Sequence, residues 1–149
     1  MKKIPLWIVV VVGMLLVACS SEPMSIVTGK DFIQKRAVIV DTTSVFHSSD
    51  PFIMQFRYGK NFDFSKIKWE VSTAEGKPIS SKTSSVSDKE GSYTIIVSSV
   101  RKGGIANAAE FFKAKEGTFR IRFRNADADT LLLEKQVRVV LNSEKIDGE

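Results

Sequence analysis

Phe119, Ile121 and Phe123 alternate with Arg120, Arg122 and Arg124 in this 149-residue chain. Extended backbone sends successive side chains to opposite faces, so the three arginines line one face about 7 Å apart. A guanidinium grips carboxylate, sulfate or phosphate through parallel N–H bonds, so the row suits an acidic partner, lipid phosphates or an anionic glycan. Its plainer use is a solvated sheet face with cross-strand ion pairs, as most charge runs are. The next segment bears on this choice. Leu131, Leu133, Val137 and Val139 should face the core together with Phe119, Ile121 and Phe123. A one-residue slip would invert the faces, so the connecting loop should have odd length. A five-residue loop sets Arg120 opposite Glu134, and a seven-residue loop sets Arg122 there. Either register gives one arginine a carboxylate and leaves the other two free.

The turn Asn125-Ala126-Asp127-Ala128-Asp129-Thr130 offers oxygen atoms at alternate positions and so resembles the opening of an EF-hand calcium loop. Thr130 replaces the glycine of the sixth position and Gln136 the bidentate glutamate of the twelfth, so no metal is expected. Asn and Asp are also ordinary hairpin residues. Phe62 and Phe64 share one loop, Asn61 to Ser65. Exposed, they would mark a partner or membrane contact. Buried, the usual state of such aromatics, they would plug one end of the core. His47 is the one histidine, beside Ser48, Ser49 and Asp50. Adjacency in sequence is no evidence for a triad. No metal-ligand spacing, nucleophile elbow or phosphate loop stands out. A carboxylate pair for glycan hydrolysis stays open among seventeen scattered acids. The reading is a protein without catalytic residues or cofactor.

Cys19, the one cysteine, ends an apolar run from Ile4 to Ala18 that follows Lys2 and Lys3. A basic start, a short apolar stretch and small residues before a cut site describe a secretory signal. At about 1.5 Å per residue, fifteen residues reach only about 22 Å, short of the roughly 30 Å core of a bilayer. Leu16-Val17-Ala18-Cys19 resembles the lipobox of bacterial lipoproteins. That resemblance implies a diacylglyceryl group on the Cys19 thiol, cleavage before it and acylation of the new amino terminus. Ser20 after the cysteine implies, for diderm bacteria of the common type, the outer membrane rather than the inner one. Two or three acyl chains would hold the protein firmly, at about 0.8 kcal/mol per buried CH₂.

Without residues 1–18 the chain keeps 131 residues, a single-domain length. The formal charge of +5 becomes +3 without Lys2 and Lys3, too mild to argue for nucleic acid. No disulfide is available, so stability rests on packing, for which ten phenylalanines, two tyrosines and Trp69 are the supply.

The organisation expected is a signal over 1–18, a lipidated tether over 19–30, a β domain over 31–142 and a polar tail over 143–149. Strands are expected at 37–43, 52–58, 67–72, 79–87, 93–100, 118–124 and 130–141, from β-branched content and period-two alternation. Ile105, Ala109 and Phe112 at i, i+4 and i+7 predict a short helix over 105–115, stopped by Gly117. Seven short strands with turn signals between them and one helix before the sixth argue for a mainly β protein, an antiparallel two-sheet sandwich. Trp69 on the third strand and the helical turn before the sixth resemble immunoglobulin-like domains, although the cysteine pair of that family is missing. Other two-sheet sandwiches fit the same pattern. The function expected is non-enzymatic: a cell-envelope module held to the membrane by lipid on Cys19, binding another envelope protein. The alternative is a small-molecule, glycan or anion carrier.

Overall fold

The structure, a computed structural model, describes residues 23–59, 62–86, 91–96 and 106–141. Nine strands fall among them: β1 (Ser25–Ile33), β2 (Val38–Thr42), β3 (Val45–His47), β4 (Ile53–Arg57), β5 (Lys66–Thr73), β6 (Pro78–Ser85), β7 (Ser92–Ile96), β8 (Gly117–Asn125) and β9 (Thr130–Val140). The protein is mainly β. Its strands form a four-stranded sheet in the order β2-β1-β4-β7 and a five-stranded sheet in the order β3-β9-β8-β5-β6.

Alternation creates the core between these sheets. Met54 and Phe56 of β4 meet Ile67, Trp69 and Val71 of β5, and Phe119, Ile121 and Phe123 of β8, all buried. The Phe56 and Phe123 rings stack across the gap at 4.7 Å. Aromatic pairs at this separation add about 0.5–1.5 kcal/mol beyond their buried area. On one side Ser84 of β6 and Tyr93 of β7 share a hydroxyl hydrogen bond of 2.8 Å, which ties one sheet to the other.

Several sequence expectations need correction. The tether expected over 19–30 is cut short, because β1 already starts at Ser25 and pairs with both β2 and β4. Backbone pairing on two sides holds a segment whose side chains are mostly half-buried or exposed. The folded domain therefore starts before residue 31. β3, only three residues long, runs parallel to β9, so the pairing is not antiparallel throughout.

The helix is also shorter and lies elsewhere in the strand order. α1 (Ala108–Phe111) is a single turn that precedes β8, the eighth strand. Asn107 and Glu110 close it with a capping box: the Asn107 side chain accepts from the Glu110 N–H, and the Glu110 carboxylate accepts from the Asn107 N–H. These reciprocal bonds satisfy donors that a helix start leaves open. The buried stripe is Ala108, Phe111 and Phe112, not the one expected through Ala109, which is only half-buried. Lys113 and Ala114 then adopt left-handed backbone (φ 55 and 57), and the Ala114 N–H donates to the Ala109 carbonyl. That closure ends the helix well before Gly117. Ile105 lies outside the described residues, as do part of the strand expected over 93–100 and the tail 143–149.

The β8–β9 hairpin solves the parity problem by another route. Its turn, residues 126–129, is even, and a bulge after Phe123 restores the alternation. Arg122 thus stands opposite Glu134, but Arg124 stands opposite Leu131. Leu131 is 50% exposed, contrary to its expected place in the core, because the bulge leaves Leu132 as the extra residue.

Candidate functional site

The outer face of the five-stranded sheet carries the arginine row. Phe119, Ile121 and Phe123 are buried, so Arg120, Arg122 and Arg124 must project outward. β5 and β9 flank β8 and bring Glu70 and Glu134 to the same face. The Nε of Arg122 donates to the Glu134 carboxylate at 2.6 Å, and the Nε of Arg124 donates to Glu70 at 3.1 Å. Lys68 also reaches Glu70, at 2.8 Å. The Lys68 ammonium bonded to Glu70 is the chief reason its carboxyl titrates below the ordinary glutamate range; partial burial opposes this, and Arg124 adds to it. Its stabilising contribution is complete above the ordinary glutamate pKa and is lost as pH falls through the depressed folded value.

Arg120 stands between Ser72 of β5 and Gln136 of β9. Its Nε and the Ser72 hydroxyl are buried without a hydrogen-bond partner. Glu75 is the acid that feels Arg120, although its carboxyl is held low first by its own backbone N–H and by Thr73. Each arginine therefore has a carboxylate bonded to it or within its field. Two of the three arginines are thus paired where the sequence reading leaves two free, while with Lys68 and Arg138 the cations of this face still outnumber its carboxylates. Replacing Arg122 and Arg124 together with serine is expected to lower the unfolding free energy by about 1 kcal/mol, the scale of partly exposed ion pairs. Urea unfolding reads this. A loss above about 3 kcal/mol would make the row a main determinant of stability.

The remaining candidates are used structurally. The Asn125 side chain accepts from the Asp127 and Ala128 N–H groups at 2.9 and 3.2 Å. The Asp127 carboxylate accepts from the Ser65 and Lys66 N–H groups and from the Ser65 hydroxyl, and the Ser65 N–H bond is the main reason it titrates low. Those oxygens join the β8–β9 turn to the start of β5. Among the described residues no group of three His, Cys, Asp or Glu is placed to hold a metal ion. Phe64 is 4% exposed, and its ring lies 4.9 Å from Phe62 and 5.5 Å from Tyr58. Phe62 is half-buried against the core. The pair closes one end of the core, so neither is the exposed docking tip considered from sequence.

At the opposite end, His47 is exposed and its N–H donates to the Asp50 carboxylate at 2.7 Å. Burial pushes the Asp50 carboxyl up, but that N–H bond and the Lys30 ammonium at 3.1 Å outweigh it and leave the group below its ordinary value. This is a turn between β3 and β4 that also receives α1, through the Ala108 and Ala109 N–H groups. Cys19 lies outside the described residues.

One residue of interest escaped sequence reasoning. Lys135 pairs in register with fully buried Ile121, which makes it a cation on the inward face of β9. The signal was present in the alternation: with Val137 and Val139 inward, Lys135 has the inward parity too. At the level of sequence, no known family and no curated protein matches this chain.

Proposed function

We propose that the protein is a lipid-anchored component of a bacterial cell envelope, carrying one immunoglobulin-like sandwich that works by non-covalent binding to another envelope protein. The observation that carries this reading is Leu16-Val17-Ala18-Cys19 ahead of a strand that begins at Ser25. Five residues separate the cysteine from β1. Such a link has a reach of about 12 Å, so the domain sits close to the bilayer. Anchoring there raises the effective concentration of any neighbour in the same membrane. Ser20 favours the outer membrane.

The immunoglobulin-like part of the reading rests on strand order. β1-β4-β7 and β6-β5-β8-β9 follow the A-B-E and C′-C-F-G orders of that fold, with Trp69 on the strand equivalent to C. Phe56 and Phe123 stack where the inter-sheet disulfide of antibody domains joins strands B and F. Ile121 stands two residues before Phe123, where those domains carry a tyrosine. β6 supplies a surface for the partner. It is the outermost strand in its sheet order, mostly serine and threonine, and largely exposed. Among the described residues one row of its backbone groups has no strand partner, which suits strand addition.

Metabolic labelling with palmitate tests the anchor. The native chain takes up label and Cys19→Ser does not; label in that variant would overturn the lipoprotein reading. Purification of the full chain from detergent-solubilised envelope tests the binding role. One stoichiometric envelope protein supports it, and recovery of the chain alone would refute it.

A further inference from the structure

A groove opens on the side of the molecule where β1 of one sheet passes β9 of the other. It is lined by residues 26–28 of β1, Thr42 at the end of β2, Thr43 and Ser44 between β2 and β3, and Lys135 of β9. Its volume is about 290 Å³, at the small end of ligand-binding cavities. The β2–β3 passage makes the opening. β3 pairs with β9 only over residues 138–140, and the chain before Val45 crosses to the other sheet.

Among the described residues Lys135 has no carboxylate partner. Its ammonium donates to the Ile26 carbonyl at 3.3 Å, and none of the ion pairs among the described residues includes it. Burial holds its pKa below the ordinary lysine value. A cation taken out of water without a counter-charge is costly. The hydroxyls beside it divide into two groups. Thr28 donates to the Thr43 carbonyl, and the Thr43 hydroxyl is engaged with the backbone of Val45. Thr42 and Ser44 are exposed, and among the described residues neither hydroxyl takes part in a hydrogen bond. One ammonium and two open hydroxyl donors thus share one small groove with the apolar Ile26, whose side chain has the inward parity, while Val27 contributes its backbone.

We propose that this groove binds the carboxylate of a small organic acid, with Lys135 as the charged anchor, the Thr42 and Ser44 hydroxyls as further donors, and Ile26 against a short carbon chain. Charge matching selects the anion. A single ammonium neutralises a carboxylate, whereas a phosphate dianion would remain half uncompensated. Bonds to a charged donor are about twice as strong as neutral ones. A bound carboxylate also supplies a counter-charge that none of the described residues gives Lys135. The assignment goes beyond the anchored-module reading and is independent of it, since lipid attachment is read by palmitate and the groove by titration.

The test uses the full chain, ¹⁵N-labelled in detergent micelles and titrated at constant ionic strength with sodium butyrate, sodium acetate and sodium phosphate. Butyrate is expected to give saturable amide shifts at residues 26–28, 42–44 and 135, with acetate weaker and phosphate weakest. Lys135→Met keeps the stem and removes the charge. It should weaken butyrate at least tenfold while the melting temperature holds or rises. Thr42→Val, an exposed substitution that leaves the fold intact, should weaken butyrate about threefold. Linear drift with all three salts, unchanged saturation in either variant, or phosphate binding tighter than butyrate would each overturn the proposal.

Discussion

Phe52→Ala is expected to lower the unfolding free energy by about 3–5 kcal/mol, the range for a large aromatic removed from a packed interior. Phe52 is 1% exposed and sits where three elements meet. Its ring lies 4.9 Å from Phe46 of β3, 4.6 Å from Phe111 of α1 and 4.8 Å from Phe112. Phe112 in turn lies 4.5 Å from Phe119 of β8. Local collapse cannot refill such a site, because each neighbour is fixed by its own backbone pairing. The Phe52 N–H donates to the Ala106 carbonyl, and Pro51 bridges Asn107, so the chain entering β4 also holds the start of α1. For a domain stable by about 5–15 kcal/mol, the variant should lose much of its margin. Guanidinium unfolding measures it. A loss under about 1 kcal/mol would mean that the aromatic cluster adapts freely and that α1 is not docked through Phe52.

That cluster shows what was legible in the sequence and what was not. The alternating strands β5 and β8 could be read directly, because a half-buried strand writes its two faces into the chain. β4 alternates in sequence too, but it is buried on both faces, with Ile53 and Gln55 as enclosed as Met54 and Phe56. β1 could not be read this way. Its sequence, SIVTGKDFI, has no clean period, and what holds it is hydrogen bonding to β2 and β4. β3 is three residues long and depends on a partner more than ninety positions away. The arginine row was placed on the correct kind of element, and one of its carboxylates, Glu134, was foreseen. Glu70 was not, since nothing local announces that β5 lies beside β8. The bulge that exposes Leu131 was hidden for a related reason: parity arguments assume an unbroken ladder. The groove at Lys135 needs both sheets in place. Only the misfit of a lysine on an inward position was visible beforehand.

Gly29→Ala should destabilise the domain by about 1–3 kcal/mol, the usual cost of overpacking, although alanine is no poorer a strand residue than glycine. The reason is proximity. Gly29 lies opposite Thr42 on β2 and Ile53 on β4. A Cβ there would overlap a methyl group of Ile39 and stand 2.9 Å from the Val40 carbonyl oxygen and 3.0 Å from that of Asp41. The Ile39 side chain has room to rotate only within a site where it is 3% exposed. The two carbonyls belong to the backbone of β2, so relief requires the β1–β2 hairpin to open. Gly76 supplies the contrast. It has φ 88 and no atom within 4 Å of a built Cβ, so Gly76→Ala carries backbone strain alone. That strain is about 1 kcal/mol or a little more, with no change in strand pairing. Hydrogen exchange separates the two mechanisms. Gly29→Ala is expected to accelerate exchange of the Thr43 N–H, which is bonded to the Thr28 carbonyl at 3.0 Å, while Gly76→Ala leaves it protected. Thr28 and Thr43 also line the groove, so a Gly29 variant with normal stability and normal Thr43 protection would show β2 to be looser than its packing implies. It would then also weaken the case for a preformed ligand site beside Lys135.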